Sequence, residues 1–155
     1  PWGRPDMSLY LFVKNILKNK KIEVFNYGNH SRDFTYIDDI VKGIKLALNK
    51  IPLKDKSWNS KLPKLSSSNA PFKILNLGNG NRISLIKYIK IIEKILNKKA
   101  KKKYIELQDG DVEKTYANVK KFETHYKLKK SDNLKYGILK FIKWYKKYYK
   151  KNNYV

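Results

Sequence analysis

The sequence predicts a protein of the α/β or α+β class. Its 155 residues are enough to bury a core, and the hydrophobic fraction of 41% is typical of a globular protein. Segments with helical spacing of apolar residues interleave with segments that alternate in the manner of strands. This order of elements favours helices packed on a sheet over an all-helical or all-strand domain.

A helix, a strand and a turn are predicted first. Residues 7–19 carry apolar side chains at helical spacing, directly after Pro5 and Asp6, a pair that suits a helix entry. Residues 21–25 are predicted to form a short strand. The sequence Asn-Tyr-Gly-Asn at residues 26–29 is typical of a turn.

A second strand and helix are predicted next, followed by a long loop. Residues 33–37 alternate as a strand does, and Asp38 is placed to cap a helix that continues to about Asn49. Residues 52–71 show no periodicity and are rich in lysine, serine, asparagine and proline. We expect a mobile surface loop of unusual length there.

The rest of the chain alternates in the same way. Residues 73–77 are predicted to form a strand, and Ser84 is expected to cap a helix over residues 85–96. A further strand is expected at residues 104–107. The remaining predicted elements are a turn at residues 108–111 and helices at residues 119–126 and 134–150.

The composition excludes several classes of protein. With 0 cysteines the chain has neither disulfides nor thiolate metal sites. Lysines interrupt its apolar stretches well before the roughly 18 residues that a membrane span needs. The chain starts at Pro1, without a methionine or a signal-peptide pattern, so it is either processed or a piece of a longer protein, and we expect the piece. We also expect a cytoplasmic location.

The net charge of +23 raises nucleic acid or an anionic membrane as a partner. Of the 36 basic residues, however, only Arg4, Arg32 and Arg82 are arginine, the residue that makes bidentate phosphate and base contacts. Lysine, asparagine, isoleucine and tyrosine all have codons rich in A and T. Genomic base composition is therefore a sufficient explanation of the charge, and we favour it over selected binding of nucleic acid. The three arginines are considered separately.

A glycine-containing turn resembles part of a cofactor loop. Gly78 and Gly80 lie between the predicted strand at residues 73–77 and a helix, as in a dinucleotide-binding βαβ unit. That fingerprint needs a third glycine, and Ile83 stands there instead. A tight strand-to-helix turn is the plainer interpretation.

Arg32 has two interpretations from chemistry alone. An arginine between a turn and a strand can hold a phosphate with a fixed guanidinium fork, where lysine offers a point charge. A surface ion pair with Asp33 or Asp38 explains the residue equally well, and such pairs contribute little to stability. Both interpretations stay open at this point.

Three longer motifs are distinctive: Pro-Trp-Gly-Arg-Pro-Asp-Met at residues 1–7, Val-Phe-Asn-Tyr-Gly-Asn at 24–29 and Ser-Arg-Asp-Phe-Thr-Tyr-Ile-Asp-Asp-Ile at 31–40. Together they resemble the UDP-glucuronate 4-epimerases, NAD-dependent members of the extended short-chain dehydrogenase/reductase superfamily. Shorter matches follow in the family's order at residues 76–79, 108–112, 115–117 and 137–145. The resemblance covers essentially the whole chain, and residues 52–71 match least.

The resemblance implies that residues 1–155 are the C-terminal nucleotide-sugar-binding region of an extended Rossmann-type enzyme, without the N-terminal NAD-binding βαβ units. It implies that the intact protein inverts C4 of UDP-glucuronate with NAD bound by the missing half, that the piece alone is inactive, and that intact members are usually homodimers. Another nucleotide-sugar epimerase or dehydratase is the neighbouring alternative. A basic module that binds nucleic acid or another anion is the alternative from a different class.

The resemblance also implies which residues bind substrate. Arg32 is expected at the diphosphate of a UDP-sugar, and Val24 and Phe25 along the uracil, although Phe25 suits a core position equally well. Arg4 is expected at the sugar end, where it would serve the uronate carboxylate or the phosphate. No catalytic, cofactor-binding or metal-binding residue is expected in this chain.

The turn at residues 108–111 is expected to complete that site. The resemblance places Asp111 near the ribose or the diphosphate, although an aspartate there can also simply close its own turn. Gln108 occupies the position of a second phosphate arginine in related galactose epimerases. His30 and His125 are interpreted as surface residues, and the aromatic residues interpreted as packing residues are Tyr116, Trp144 and Tyr145.

One structural consequence of the resemblance concerns stability. In the family, the strand at residues 73–77 joins the sheet of the N-terminal domain, and the helix at residues 39–49 packs against it. Without that domain the chain would keep an unpaired strand edge and an apolar face. We therefore expect the isolated chain to be marginally stable or to self-associate.

Overall fold

The structure is a computed structural model that describes residues 4–128 and 134–151. The first three residues of the motif at residues 1–7 lie outside this range. Helices and strands alternate as the sequence predicts. The helices are α1 (Ser8–Leu17), α2 (Ile37–Leu48), α3 (Leu85–Leu96), α4 (Lys120–Tyr126) and α5 (Leu134–Lys151), and the strands are β1 (Lys21–Val24), β2 (Ser31–Asp33), β3 (Arg82–Ser84) and β4 (Lys101–Tyr104).

The chain divides into two compact units. Unit 1 contains Pro1–Arg32, Arg82–Thr115 and Asn133–Val155, and unit 2 contains Asp33–Asn81 and Tyr116–Asp132. Within the described residues, no helix has the length and apolar character needed to cross a membrane.

Unit 1 is built around the parallel pair β1 and β4, in which Lys21 lies opposite Lys101 and Val24 opposite Tyr104. Helix α1 contacts β1 and α3, and α3 contacts α5. The side chains between these elements are apolar and almost fully buried: Val13, Ile16, Ile22, Val24, Ile89, Ile92, Ile138 and Tyr145. Tyr145 therefore packs as predicted, with its ring centroid 5.5 Å from that of Tyr10.

The helices of unit 1 confirm their sequence signals. The Ser84 hydroxyl accepts a hydrogen bond from the Lys87 N–H at 3.3 Å, so the predicted cap begins α3. The helix ends at Asn97, whose φ of 53° is left-handed. The predicted helices at residues 7–19 and 134–150 are also present, as α1 and α5.

Unit 2 is held together largely by polar side chains that accept backbone hydrogen bonds. The Asp33 carboxylate accepts from the N–H groups of Gly80 at 3.0 Å and Ala117 at 3.1 Å. The Thr35 hydroxyl accepts from the Asn79 N–H at 3.1 Å. These bonds join residues 33–35 to the turn at residues 79–81 and to the segment before α4. Helix α4 itself contacts α2.

The long loop of unit 2 has a polar centre at Asp55. Its carboxylate accepts hydrogen bonds from the N–H and hydroxyl of Ser57 at 2.9 and 2.6 Å, and from the hydroxyl of Ser67 at 2.9 Å. These bonds hold the pKa of Asp55 well below its usual range. The mobility of residues 52–71 stays a prediction.

Two predicted strands are displaced. The strand expected at residues 33–37 lies at Ser31–Asp33, and α2 begins at Ile37 after Tyr36, without a side-chain cap from Asp38. The strand expected at residues 104–107 lies at Lys101–Tyr104, in a lysine run. Pairing with β1 selects this segment, because an edge strand tolerates lysines whose charged ends remain in water.

The strand predicted at residues 73–77 is not formed within the described residues. Lys73 makes an isolated bridge with Ser67, and the Ile74 N–H donates to the Ser66 carbonyl at 3.0 Å. A strand needs a neighbour to pair with, and here no described strand lies beside it.

Tyr116, interpreted from the sequence as a packing residue, is 56% exposed, which corrects that interpretation.

Candidate functional site

A left-handed turn leads the chain into β2. Asn26, Tyr27 and Gly28 have φ values of 48°, 50° and 88°. Glycine suits the last position because L side chains rarely adopt a φ of 88°, and a Cβ there would also lie 2.7 Å from Cδ1 of Ile86. The Tyr27 N–H donates to the Ile105 carbonyl at 3.1 Å, which helps to hold the turn. The sequence predicts this turn but not its hand.

Arg32 lies in β2, and three of the five N–H groups of its guanidinium donate hydrogen bonds. One terminal nitrogen, Nη1, donates to the carbonyl oxygens of Glu113 at 2.9 Å and Ser31 at 3.2 Å. The other, Nη2, donates to Oδ1 of Asp111 at 2.8 Å. The guanidinium is therefore fixed in orientation while its side chain stays 28% exposed, and its other two donors have no hydrogen-bond partner among the described residues.

Asp111 reaches Arg32 because the segment at residues 113–115 runs beside β2. The Ser31 N–H donates to the Glu113 carbonyl at 3.0 Å, and the Thr115 N–H donates to the Ser31 carbonyl at 3.2 Å. Two residues predicted for the site, 79 positions apart in sequence, thus form one ion pair.

The turn that carries Asp111 has the predicted form. The Asp111 N–H donates to the Gln108 carbonyl at 3.0 Å, and Gly110 between them has a φ of 77°. The Asp111 carboxylate also accepts from the Val112 N–H at 2.8 Å. Asp111 therefore stabilises its own turn, as one sequence interpretation expects, and pairs with Arg32. Its place near a ribose or a diphosphate stays a prediction.

His30 is a residue that the sequence interpretation misplaced. Its side chain is 6% exposed, and Nε2 lies 3.6 Å from Oδ2 of Asp111. Nε2 has no hydrogen-bond partner in the part of the chain that is described. The interpretation as a surface residue is wrong because the His30 carbonyl accepts the Leu85 N–H at 2.8 Å, which draws this residue against the start of α3.

The remaining predicted site residues differ in exposure. The Val24 side chain is 0% exposed, and its carbonyl accepts the Ile105 N–H, so its side chain belongs to the core. Phe25 is half-buried and Gln108 is exposed. Arg4 is 76% exposed and pairs with Asp6, where the guanidinium lowers the pKa of the carboxyl.

The sequence comparisons agree with the resemblance described above. Residues 1–59 match the model of the NAD dependent epimerase/dehydratase family. Protein CapI of Staphylococcus aureus is 44% identical over 151 residues, which cover 97% of this chain and 45% of CapI. UDP-glucuronate 4-epimerase 5 of Arabidopsis thaliana is 44% identical over 153 residues, which cover 96% of this chain and 34% of that protein.

The structural comparison finds a similar fold in a UDP-glucuronic acid 4-epimerase. A mutant UDP-glucuronic acid 4-epimerase from Bacillus cereus, solved with UDP-4-deoxy-4-fluoro-glucuronic acid and NAD, superposes with a TM-score of 0.76 at 28% identity. The match covers 96% of this chain and 42% of that one. The chain spans less than half the length of the curated relatives that it matches. The predicted fold class is confirmed. The chain is similar to UDP-glucuronate 4-epimerases over 96% of its length, and residues 1–59 match the model of the NAD dependent epimerase/dehydratase family.

Proposed function

We propose that this chain forms the UDP-sugar-binding part of an NAD-dependent nucleotide-sugar 4-epimerase that converts UDP-glucuronate to UDP-galacturonate. The observation that carries the proposal is the Arg32 guanidinium, anchored on Ser31, Glu113 and Asp111 with two donors unused. Relatives named as UDP-glucuronate 4-epimerases support the substrate class.

The chemistry of a diphosphate suits this arrangement. Arg32 supplies a fixed positive charge and directional donors, which favour phosphate oxygens over a freely moving ammonium. The Asp111 carboxylate would repel a diphosphate at Nη2, so we propose that Asp111 accepts from ribose hydroxyls while Arg32 holds the phosphates. We assign Phe25 and the main chain of Val24 to the uracil, Gln108 to the ribose side, and Arg4 to the uronate carboxylate.

The glycine-containing turn at residues 78–80 does not fit NAD. The glycine-containing turn that resembles a cofactor loop uses its N–H groups internally, because Asn79 donates to Thr35 and Gly80 donates to Asp33. A dinucleotide loop needs such groups for the pyrophosphate. We therefore assign no hydride-transfer step to this chain and propose that NAD is bound by residues outside it. The homodimer, the cytoplasmic location and the inactivity of the chain alone stay predictions.

Titration with UDP tests the proposal. We expect amide shifts at residues 24–32 and 108–113 in two-dimensional NMR spectra, and a loss of affinity of roughly tenfold or more in Arg32→Lys, because lysine cannot reproduce the charge-assisted fork. Arg82→Lys is the matched control and should bind as the unchanged chain does.

The same titration separates the alternatives. Equal losses in Arg32→Lys and Arg82→Lys would contradict the assignment of Arg32. Salt-sensitive binding of arbitrary DNA together with a silent UDP titration would favour the basic module.

Arg4→Gln should weaken the binding of UDP-glucuronate more than the binding of UDP. An equal effect on both ligands would remove Arg4 from the sugar end.

A further inference from the structure

Unit 2 contains an open cavity of about 500 Å³ that the proposed UDP-sugar site does not use. The long loop, the segment at residues 73–75 and α4 surround it. Its walls combine ammonium groups, hydroxyl groups and two aliphatic side chains. The lining residues are Asp55, Ser66, Ser67, Lys73, Ile74, Leu75, Lys120, Lys121, Thr124 and His125.

Positive charge converges on this cavity without matching carboxylates. Lys73, Lys120 and Lys121 line it, and Nζ of Lys50 donates to the His125 carbonyl at 2.6 Å. Within residues 4–128 and 134–151, none of these four lysines forms an ion pair. Lysines elsewhere do form them: Lys64, Lys102 and Lys103.

His125 lies against two of these lysines. Nζ of Lys73 lies 3.5 Å from Nδ1 of His125, and an ammonium group can only donate, so Nδ1 acts as the acceptor of a neutral ring. Burial, with the charges of Lys73 and Lys50, lowers the pKa of His125. The ring is half-buried rather than on the surface, which corrects the interpretation from the sequence.

The one carboxylate in the wall is already engaged. Asp55 accepts from Ser57 and Ser67, and one of its oxygens lies 3.4 Å from Nζ of Lys64. Its negative charge is therefore directed into the loop. Ser66 and Thr124, two hydroxyl-bearing residues, also line the cavity.

We propose that this cavity binds a phosphate-bearing small molecule. Lysines bind phosphate as point charges, and the hydroxyls of Ser66 and Thr124 can donate to its oxygens. Ile74 and Leu75 offer an apolar wall for the remainder of the ligand, and the volume lies within the range of small-molecule sites, about 300–1,000 Å³. The proposal does not depend on the UDP-sugar assignment, because that site consists of unit 1 residues.

Pyrophosphate is the probe that tests this site in the full 155-residue chain. We expect amide shifts at Ser66, Thr124 and His125 in two-dimensional NMR spectra. Lys73→Gln and Lys121→Gln should each weaken pyrophosphate binding at these amides by up to about fivefold, the size of one exposed charge interaction. The spectra also report whether each variant is folded.

Lys61→Gln is the matched control, since it removes the same charge from an exposed residue of unit 2 that does not line the cavity. An unchanged affinity in this control supports the proposal. Equal weakening in all three variants would show only nonspecific attraction to a basic chain. Shifts confined to Arg32 and Asp111, or no shifts at all, would overturn the cavity assignment while leaving the UDP-sugar proposal to its own test.

Discussion

The two units differ sharply in how they bury apolar side chains. Unit 1 holds thirteen of the fifteen buried apolar residues of the described chain, and unit 2 holds two, Val119 and Phe122. Unit 2 instead exposes a stripe along α2 at helical spacing: Ile37, Val41, Ile44 and Leu48, which are 47–74% exposed. Since burial of apolar surface is the main stabilising contribution, unit 1 should carry most of the stability of the chain.

The comparison also explains why the strand predicted at residues 73–77 does not form while β4 does. β4 has β1 as a partner inside unit 1. The segment at residues 73–77 has no described strand beside it, and Ile74 is 55% exposed. A lysine-rich segment with a partner thus becomes a strand, and an apolar segment without one does not.

Core truncation should give the largest contrast between the units. Ile92 is 0% exposed, so Ile92→Ala should lower the free energy of unfolding by about 2–5 kcal/mol. Ile44 is 49% exposed, so Ile44→Ala should lower it by less than about 1 kcal/mol. Urea denaturation measures both. Similar losses in the two variants would contradict the view that unit 1 carries the stability.

The buried carboxylate of unit 1 should have the next largest effect. Glu93 is 6% exposed and accepts from Nζ of Lys102 at 2.7 Å and from the Ala100 N–H at 2.9 Å. Glu93→Gln should lower the free energy of unfolding by about 1–3 kcal/mol, because it weakens both charge-assisted bonds.

The effect of Glu93 should depend on pH. Burial opposes ionisation of Glu93, but its bonds to Lys102 and Ala100 outweigh burial and lower its pKa in the folded chain. Its contribution is therefore complete above the unfolded pKa of about 4.3 and is lost as the pH falls through the lower folded pKa. Urea denaturation at several pH values should show that, as the pH falls, the free energy of unfolding of the unchanged chain approaches that of Glu93→Gln. A constant difference would contradict this linkage.

The exposed stripe on α2 should govern self-association of the isolated chain. Val41→Glu places a charge within the stripe and should shift sedimentation velocity profiles toward the monomer. Lys45→Gln, on the same helix, changes the net charge by the same amount and leaves the stripe apolar, so it should not. The chain without substitutions is expected to self-associate. A monomer with a sharp, reversible unfolding transition would contradict this expectation.

The smallest predicted effect compares the two histidines, one in each unit. His30→Phe removes the ring nitrogen beside Asp111 and should change UDP affinity by up to about fivefold, since a single weak polar contact is lost. His125→Phe, in unit 2, should leave UDP affinity unchanged. Isothermal titration calorimetry distinguishes the two, and equal effects would remove His30 from the proposed site.

The sequence was informative where structure depends on near neighbours. Ser84 beside an apolar periodic segment is enough to predict α3, because capping and helical spacing are local. The sequence was less informative about the position of β4, because its lysines leave no alternation of apolar and polar residues that would indicate a strand. His30 lacked any local signal, since its burial results from a bond to Leu85, which is distant in sequence.

By itself, the sequence determined the helices, the turns and the motif that places Arg32 at the start of a strand, because these depend on residues a few positions apart. The tertiary structure alone decided that Arg32 pairs with Asp111 rather than with Asp33 or Asp38. It also decided which lysines line the cavity of unit 2. Both outcomes depend on segments that are far apart in the chain and meet only when backbone pairing brings them together.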